Sequence, residues 1–186
     1  MTHLAAQLAQ AVHAINSGGI IAYPTEAVYG LGCDPDNETA LQRLIKLKQR
    51  DASKGLILVS DNFSRLKPYI QTLADDVTAA AFASWPGPVT WLWPVRENVS
   101  PYLRGEHDTL AVRVSNHPLV MELCRRMGKP LVSTSANIAQ QPAARTLSEV
   151  EQYFQRGIDV KLAGNLGGQT SPSKICDLLT GEVLRK

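Results

Sequence analysis

The sequence predicts an α/β fold, with one domain built on a mixed parallel/antiparallel sheet and flanking helices. Short apolar runs alternate along the chain with segments of helical periodicity. The 186 residues are enough for one domain with a substantial core, and 44% of them are hydrophobic. Because there is no repeat, low-complexity linker or shift in composition, we expect residues 1–186 to form a single domain.

Each element is predicted from a local pattern. Apolar residues recur on one helix face from Leu4, and Gly18 and Gly19 can close that helix. The other predicted helices cover residues 37–48, 74–85, 116–129, where Asn116 is the expected cap, and 146–154, which begins with a Thr146–Glu149 capping box. The predicted strands cover residues 20–24, 56–60, 89–95, 109–115 and 130–134, with a closing hairpin over 173–186. The stretch around residues 164–173 is expected to be a loop.

Composition and cysteine spacing exclude several classes of protein. The net charge of +2 indicates no particular partner. Three separated cysteines without a C-x-x-C pair argue against a zinc site or a disulfide framework, and favour a reduced, cytoplasmic protein. No apolar run approaches the roughly 20 residues that span a bilayer. The N-terminus lacks the pattern of a signal peptide.

The first candidate stretch is YPTEAVYGLGCD, residues 23–34. Thr25 and Glu26 follow a predicted strand, at a position where open α/β sheets often bind ligands. Gly30 and Gly32 permit a tight turn or a close approach to a ligand. A turn with a capping threonine explains the same residues. The stretch is not a P-loop, because the G-x-x-x-x-G-K-[ST] pattern is absent.

The second candidate is a basic stretch at the end of the second helix, with the cations Arg43, Lys46, Lys48, Arg50 and Lys54. Cations at a helix C-terminus stabilise it by a few tenths to about 1 kcal/mol, which accounts for one or two of them. Five in twelve residues fit an anion better, either a polyphosphate or a nucleic-acid backbone. If the helix ends near Lys48, the next loop can bring Arg50 and Lys54 beside it.

The third candidate is LVSTSAN, residues 131–137, where a strand leads into hydroxyl and amide side chains. These groups suit a phosphate or a polar small substrate, although a loop with side-chain-to-backbone bonds would need the same residues. None of the four histidines adjoins a Ser-His-Asp arrangement. The three stretches supply cations, hydroxyls and glycines but hardly any general base. That combination favours phosphoryl or nucleotidyl transfer.

These segments together resemble the YrdC family. The resemblance is carried by YPTEAVYGLGCD, by Lys48-x-Arg50, by Ser135-x-Asn137, and by GLILVS, WPGPVT and LAVRVSNHPL. It runs nearly end to end and is closest to the short bacterial form of the family. It implies a twisted mixed sheet with a concave basic cavity.

The resemblance also implies a reaction. A nucleotidyltransferase of this kind converts L-threonine, bicarbonate and ATP into threonylcarbamoyl-adenylate and pyrophosphate, for the t6A modification at position 37 of tRNA. Mg2+ is expected to accompany ATP, without a tightly bound, protein-ligated metal. The implied partners are tRNA or double-stranded RNA and, as consumer of the adenylate, the tRNA threonylcarbamoyl-transferase complex. No membrane partner is expected.

Site residues follow from the same resemblance. Lys48 and Arg50 are expected to be catalytic cations, and Thr25 and Tyr29 to contact threonine. The expected ATP-binding residues are Lys54, Arg113, Ser133, Ser135, Asn137 and Arg145. Arg113 interrupts an apolar strand and is expected to face the cavity, although strand alternation alone also permits an outward direction.

Two rival functions remain open at this point. A double-stranded RNA-binding module would need only a basic concave face, but would have little use for the STSAN hydroxyls. A different carbamoyl or acyl transferase, such as the related domain in hydrogenase maturation, would come with zinc-finger and acylphosphatase-like partners in the same chain.

Overall fold

The computed structural model describes residues 3–185, and within that range nine strands form one mixed sheet. The spatial order of the strands is β7-β1-β2-β6-β3-β5-β4-β8-β9. The pairs β1–β7, β3–β5 and β4–β8 are parallel, and the remaining neighbours are antiparallel. The predicted fold class is therefore confirmed. The outermost positions of the predicted domain, Met1, Thr2 and Lys186, lie outside the described residues.

The bounds of the elements follow the sequence patterns closely. The helices are α1 (His3–Asn16), α2 (Glu38–Leu47), α3 (Asp75–Ser84), α4 (Pro101–Arg104), α5 (Pro118–Met127) and α6 (Leu147–Tyr153). The strands are β1 (Ile21–Pro24), β2 (Tyr29–Gly32), β3 (Ile57–Ser60), β4 (Val89–Pro94), β5 (Thr109–Val114), β6 (Leu131–Ser135), β7 (Val160–Lys161), β8 (Lys174–Asp177) and β9 (Val183–Arg185). The predicted capping box of α6 is present.

Two strands and one cap differ from the prediction, and the short helix α4 was not predicted either. The sequence did not indicate β7 or β2, and β2 is half glycine. A Cβ on Gly32 would lie 2.5 Å from the carbonyl oxygen of Val132, so only glycine fits this close strand contact. The expected cap of α5 by Asn116 is wrong: the N-cap residue is His117, whose backbone N–H donates to the Ser115 hydroxyl over 3.1 Å.

The two faces of the sheet are covered differently. Helices α1 and α5 contact each other and bury one face at Ile21, Val59 and Leu131. The other face carries the larger core, which includes Leu58 and Val112. Beyond the area covered by α1 and α5, the first face is open. None of the helices within residues 3–185 has the length and apolar character needed to cross a bilayer.

Candidate active site

A cavity of about 420 Å³ lies over the open part of the sheet. Its floor contains Ser133, Ile57 and Ala111, which are register partners across β6, β3 and β5. Paired residues share a face of the sheet, so these three side chains point the same way. The walls include the β1–β2 turn, the loops after α2 and β6, and the end of the segment 163–173, which is here called the strap. All three candidate stretches therefore meet at one place.

The cavity carries a strong excess of positive charge. Among the described residues that line it, Glu26 is the one carboxylate. The basic side chains are Arg50, Lys54, Arg104, Arg113 and Arg185, with His107 beside them. Such a surface is suited to a ligand with several negative charges.

The backbone at the end of α2 explains why the cations of the basic stretch point in different directions. Gln49 adopts a left-handed conformation (φ 51°), its N–H donates to Lys46 O, and the Arg50 N–H donates to Ile45 O, each over 3.0 Å. These two bonds form a Schellman motif. The chain reverses there, so that Arg50 and Lys54 reach the cavity while Lys48 points elsewhere.

Lys48 is not among the residues that line the cavity. It is 2% exposed, and its Nζ donates to the carbonyl oxygen of Ser135, to Asn137 O over 2.8 Å and to Asn137 Oδ1 over 3.2 Å. Burial, and to a smaller extent the charge of Arg50, lowers the pKa of Lys48 to about 7. The contacts that the structure gives this ammonium are with the loop after β6. Its expected action on the carbamate and phosphates stays a prediction.

The loop after β6 is held in one arrangement by its own polar groups. The Ser135 hydroxyl donates to Asn137 Oδ1 over 2.6 Å, and Asn137 Nδ2 donates to the carbonyl oxygens of Ile138 and Gln141. Ser133, Ser135 and Asn137 all line the cavity. The loop explanation and the ligand explanation of these residues are therefore compatible.

Arg113 faces the cavity and is paired with Glu26. The two groups are nearly buried, with Nη1 2.9 Å from Oε2, and the Ser115 hydroxyl donates to Glu26 Oε1 over 2.6 Å. Burial acts to raise the pKa of Glu26, but Arg113 and Ser115 outweigh it and keep the pKa below its usual value. Among the described atoms, Arg113 Nε is buried without an acceptor. A buried donor without an acceptor costs free energy, and a ligand that supplies the acceptor would recover it.

Thr25 and Tyr29 both line the cavity, and both also serve the local structure. The Thr25 hydroxyl donates to Val28 O over 2.7 Å, as the turn explanation requires. The Tyr29 hydroxyl donates to Gly164 O in the strap over 3.1 Å. Arg145 is exposed and outside the lining, with Nη1 3.5 Å from Thr170 O, also in the strap.

Arg185, in β9, is a cavity residue that the sequence analysis missed. Its Nη2 donates to Ser173 O over 2.7 Å, and Ser173 also lines the cavity. The residue as a whole is exposed, yet desolvation of its guanidinium, followed by the charges of Arg113 and Arg50, lowers its pKa. Three arginines from distant parts of the chain thus converge. No local motif marks Arg185, because its place depends on the pairing of β8 with β4.

Comparison with known sequences agrees with this geometry. The sequence profile of the Sua5/YciO/YrdC family, described as "Telomere recombination", matches residues 13–186. The chain belongs to the Sua5/YciO/YrdC family. The resemblance found in the sequence motifs is therefore confirmed. One curated relative in the family is a threonylcarbamoyl-AMP synthase from Klebsiella pneumoniae subsp. pneumoniae, 52% identical over 181 residues, which are 96% of this chain and 95% of the relative. Another protein of that name, from Serratia proteamaculans, is 52% identical over 177 residues, 94% of this chain and 93% of the relative.

A solved Sua5/YciO/YrdC structure has the same fold. P. abyssi Sua5, in complex with L-threonine, superposes with a TM-score of 0.86 at 30% sequence identity. The match covers 91% of this chain and 50% of the Sua5 chain, so this chain spans about half the length of that protein.

Proposed function

We propose that this chain is a threonylcarbamoyl-AMP synthase, which forms threonylcarbamoyl-adenylate and pyrophosphate from L-threonine, bicarbonate and ATP. The observation that carries the proposal is the identity of about one half, over nearly the whole of both chains, with curated proteins of that name. The cavity supports it, because five basic side chains and one carboxylate suit a substrate set that is rich in negative charge.

The reaction joins two anions and therefore needs fixed positive charge. The threonine amine attacks the carbon of CO2 and loses a proton, or attacks the carbon of bicarbonate with loss of water, and either route gives a carbamate. A carbamate oxygen then forms a bond to the α-phosphorus of ATP, and the bond from that phosphorus to the β-phosphate oxygen breaks. The electron pair leaves with pyrophosphate. Preorganised cations in a site with little water stabilise the charge that develops on the phosphoryl oxygens.

Each part of the cavity has a role in this proposal. Arg50, Lys54 and Arg185 hold the phosphates. Arg113 offers its buried Nε to an anionic group of a substrate. Ser133 donates a hydrogen bond to a phosphate or substrate oxygen. Ser135 and Asn137, whose donors are engaged within the loop, would donate to such oxygens only after those loop bonds rearrange. Lys48 fixes the loop that carries Ser135 and Asn137, and so acts through that loop.

We propose that the threonine end of the cavity lies at the β1–β2 turn. Thr25 and Tyr29 line this end, next to the pair of Glu26 and Arg113. A related protein, P. abyssi Sua5, binds L-threonine in its solved complex. An amino acid with a carboxylate and a β-hydroxyl would find both a cation and polar backbone groups there.

Magnesium is proposed to enter with the phosphates of ATP. Among the described residues there is no group of three His, Cys, Asp or Glu side chains that could hold a metal ion. The carboxylate in the cavity, Glu26, is already engaged by Arg113. These residues do not suit a protein-ligated metal, and no step above depends on one.

The wider role follows from the chemistry of the product. We propose that residues 1–186 act as one YrdC-like unit whose adenylate is consumed in the t6A modification of tRNA, by the tRNA threonylcarbamoyl-transferase complex. Contact with tRNA or double-stranded RNA would use the same cations. A cytoplasmic location suits both the tRNA substrate and three cysteines that are free and buried.

Pyrophosphate release tests the proposal directly. Release from ATP should require both L-threonine and bicarbonate, because omitting either one removes the attacking carbamate. Serine lacks the methyl group of threonine, so the enzyme should discriminate against it by only about 1–3 kcal/mol. Valine should be rejected more strongly, because a group that bonds the hydroxyl would be left unpaired. Release with ATP alone, or equal release without bicarbonate, would refute the mechanism. Mass detection of the adenylate identifies the product.

A further inference from the structure

The strap forms one wall of the cavity without a helix or strand of its own. Its end contributes residues 171–173 to the lining. Two backbone bonds tie its middle to the β1–β2 turn: Gly167 N–H donates to Thr25 O over 3.0 Å, and Gln169 N–H donates to Glu26 O over 2.9 Å. The strap therefore rests on the turn that is proposed to face threonine.

A buried histidine lies beneath the strap. His117 is 6% exposed, and its Nε2 lies 3.2 Å from Asn165 O. Because a carbonyl oxygen only accepts, Nε2 carries the hydrogen and donates it. A Cβ on Gly167 would lie 3.3 Å from His117 Cδ2, so the strap passes close over the ring. Neither the proposed chemistry nor the candidate motifs use this side chain.

The same histidine is linked to the cavity from the other side. Its backbone N–H donates to the Ser115 hydroxyl, which donates to Glu26, and Glu26 pairs with Arg113. His117 Nδ1 is buried without a partner among the described atoms. The ring therefore makes its one hydrogen bond to the strap, close to the β1–β2 turn and to the pair of Glu26 and Arg113.

We infer that His117 is a positioning residue, which anchors the strap on the β1–β2 turn and so sets the cavity wall for the amino-acid substrate. It does not touch the reacting atoms. This inference rests on the proposed function only in naming threonine as that substrate. Loss of one anchoring hydrogen bond should raise the KM for threonine about 5- to 10-fold. The KM for ATP and kcat should change less than about twofold, because the phosphate-binding cations are untouched.

Two variants separate anchoring from packing. His117→Phe keeps a ring beneath the strap but has no donor, whereas His117→Gln keeps a donor but has no ring. If His117 acts as an anchor, the strap should lose its ordered position in the phenylalanine variant and largely keep it in the glutamine variant. If His117 acts only by packing, the reverse is expected. His13→Ala, on the exposed face of α1, is the control.

The first readout is amide hydrogen exchange of the ligand-free protein. In His117→Phe, exchange of peptides covering 163–173 should become at least tenfold faster, with peptides from β3 and β5 unchanged. The second readout is the set of KM values. Unchanged strap exchange in His117→Phe, or equal loss in both variants, overturns the inference. If the wild type shows no threonine-dependent pyrophosphate release, the proposed function fails, and exchange alone then decides whether His117 anchors the strap.

Discussion

Replacing Lys48 with methionine tests whether a buried ammonium holds the loop after β6. The Nζ atom donates to the carbonyl oxygens of Ser135 and Asn137 and to Asn137 Oδ1, and the side chain is 2% exposed. Methionine fills most of the space of the aliphatic stem but has no donor. The change therefore removes the hydrogen bonds and the charge while it keeps the packing.

The magnitude follows from two opposing effects. The backbone carbonyl groups of Ser135 and Asn137, both half-buried residues, lose their donor, which destabilises the fold by up to about 1–3 kcal/mol each. Against this, the lowering of the pKa of Lys48 from 10.5 to about 7 corresponds to roughly 5 kcal/mol against the charged form, which methionine avoids. The effects are of similar size. We expect the free energy of unfolding at neutral pH to change by less than about 2 kcal/mol in either direction.

The turnover rate of Lys48→Met, in contrast to its stability, should fall strongly. The loop carries Ser135 and Asn137 at the cavity, and a misplacement of about 1 Å in a positioned group can lower the rate about 100-fold. Turnover by pyrophosphate release and unfolding in urea are measured for each variant. Lys46→Met, in the last turn of the same helix but exposed, is the matched control and should stay within about 0.5 kcal/mol and near wild-type turnover. Near-normal turnover in Lys48→Met would refute the loop argument and leave only the helix-end explanation.

Three further predictions concern pH, Arg185 and RNA binding. Between pH about 7 and 10 the unfolded chain binds a proton at Lys48 that the folded chain does not. The free energy of unfolding of the wild type should therefore rise with pH relative to that of Lys48→Met, by up to about 1.4 kcal/mol per pH unit. If urea unfolding shows the same pH dependence of stability for both proteins, this prediction is wrong. Arg185→Ala should lower kcat/KM for ATP about 100-fold, whereas Arg156→Ala, at an exposed position, should be near neutral; equal activities would remove Arg185 from the site. RNA that binds through about four cavity cations should lose roughly 100-fold in affinity between about 50 and 200 mM salt and should compete with ATP; tight, salt-insensitive binding of one sequence would favour a dedicated RNA reader.

Local patterns were sufficient for most of the fold. Periodicity and capping residues predicted five helices and the closing hairpin because those signals act within a few residues. The short strands β2 and β7 carry no such signal. Gly30 and Gly32 weaken the strand pattern of β2, and the reason for Gly32 lies in a close contact with Val132, about 100 residues away. That contact cannot be read from either segment alone.

The candidate site was predictable as a set of segments but not as directions of side chains. Sequence patterns identified the three stretches as candidates for one site, and the structure places Arg50 and Arg113 at the cavity. Whether Lys48 points to the cavity or to the loop depends on the left-handed conformation of Gln49. Glutamine rarely adopts this conformation, so the sequence does not predict it. Arg185 depends on strand pairing across more than eighty residues, between β4 and β8.

The β8–β9 hairpin at the sheet edge has a consequence for the lifetime of the protein. It is joined to the rest of the sheet through β4 alone, and the side chains of β9 are exposed. Such an edge opens at a lower free energy than the central strands do, and proteases cleave chains in the opened state. Because the hairpin carries Arg185, which lines the cavity, nucleotide bound there as proposed would hold the hairpin closed by mass action. At ATP about tenfold above its Kd, opening becomes about 1.4 kcal/mol less favourable, so degradation through this edge slows about tenfold when nucleotide is abundant.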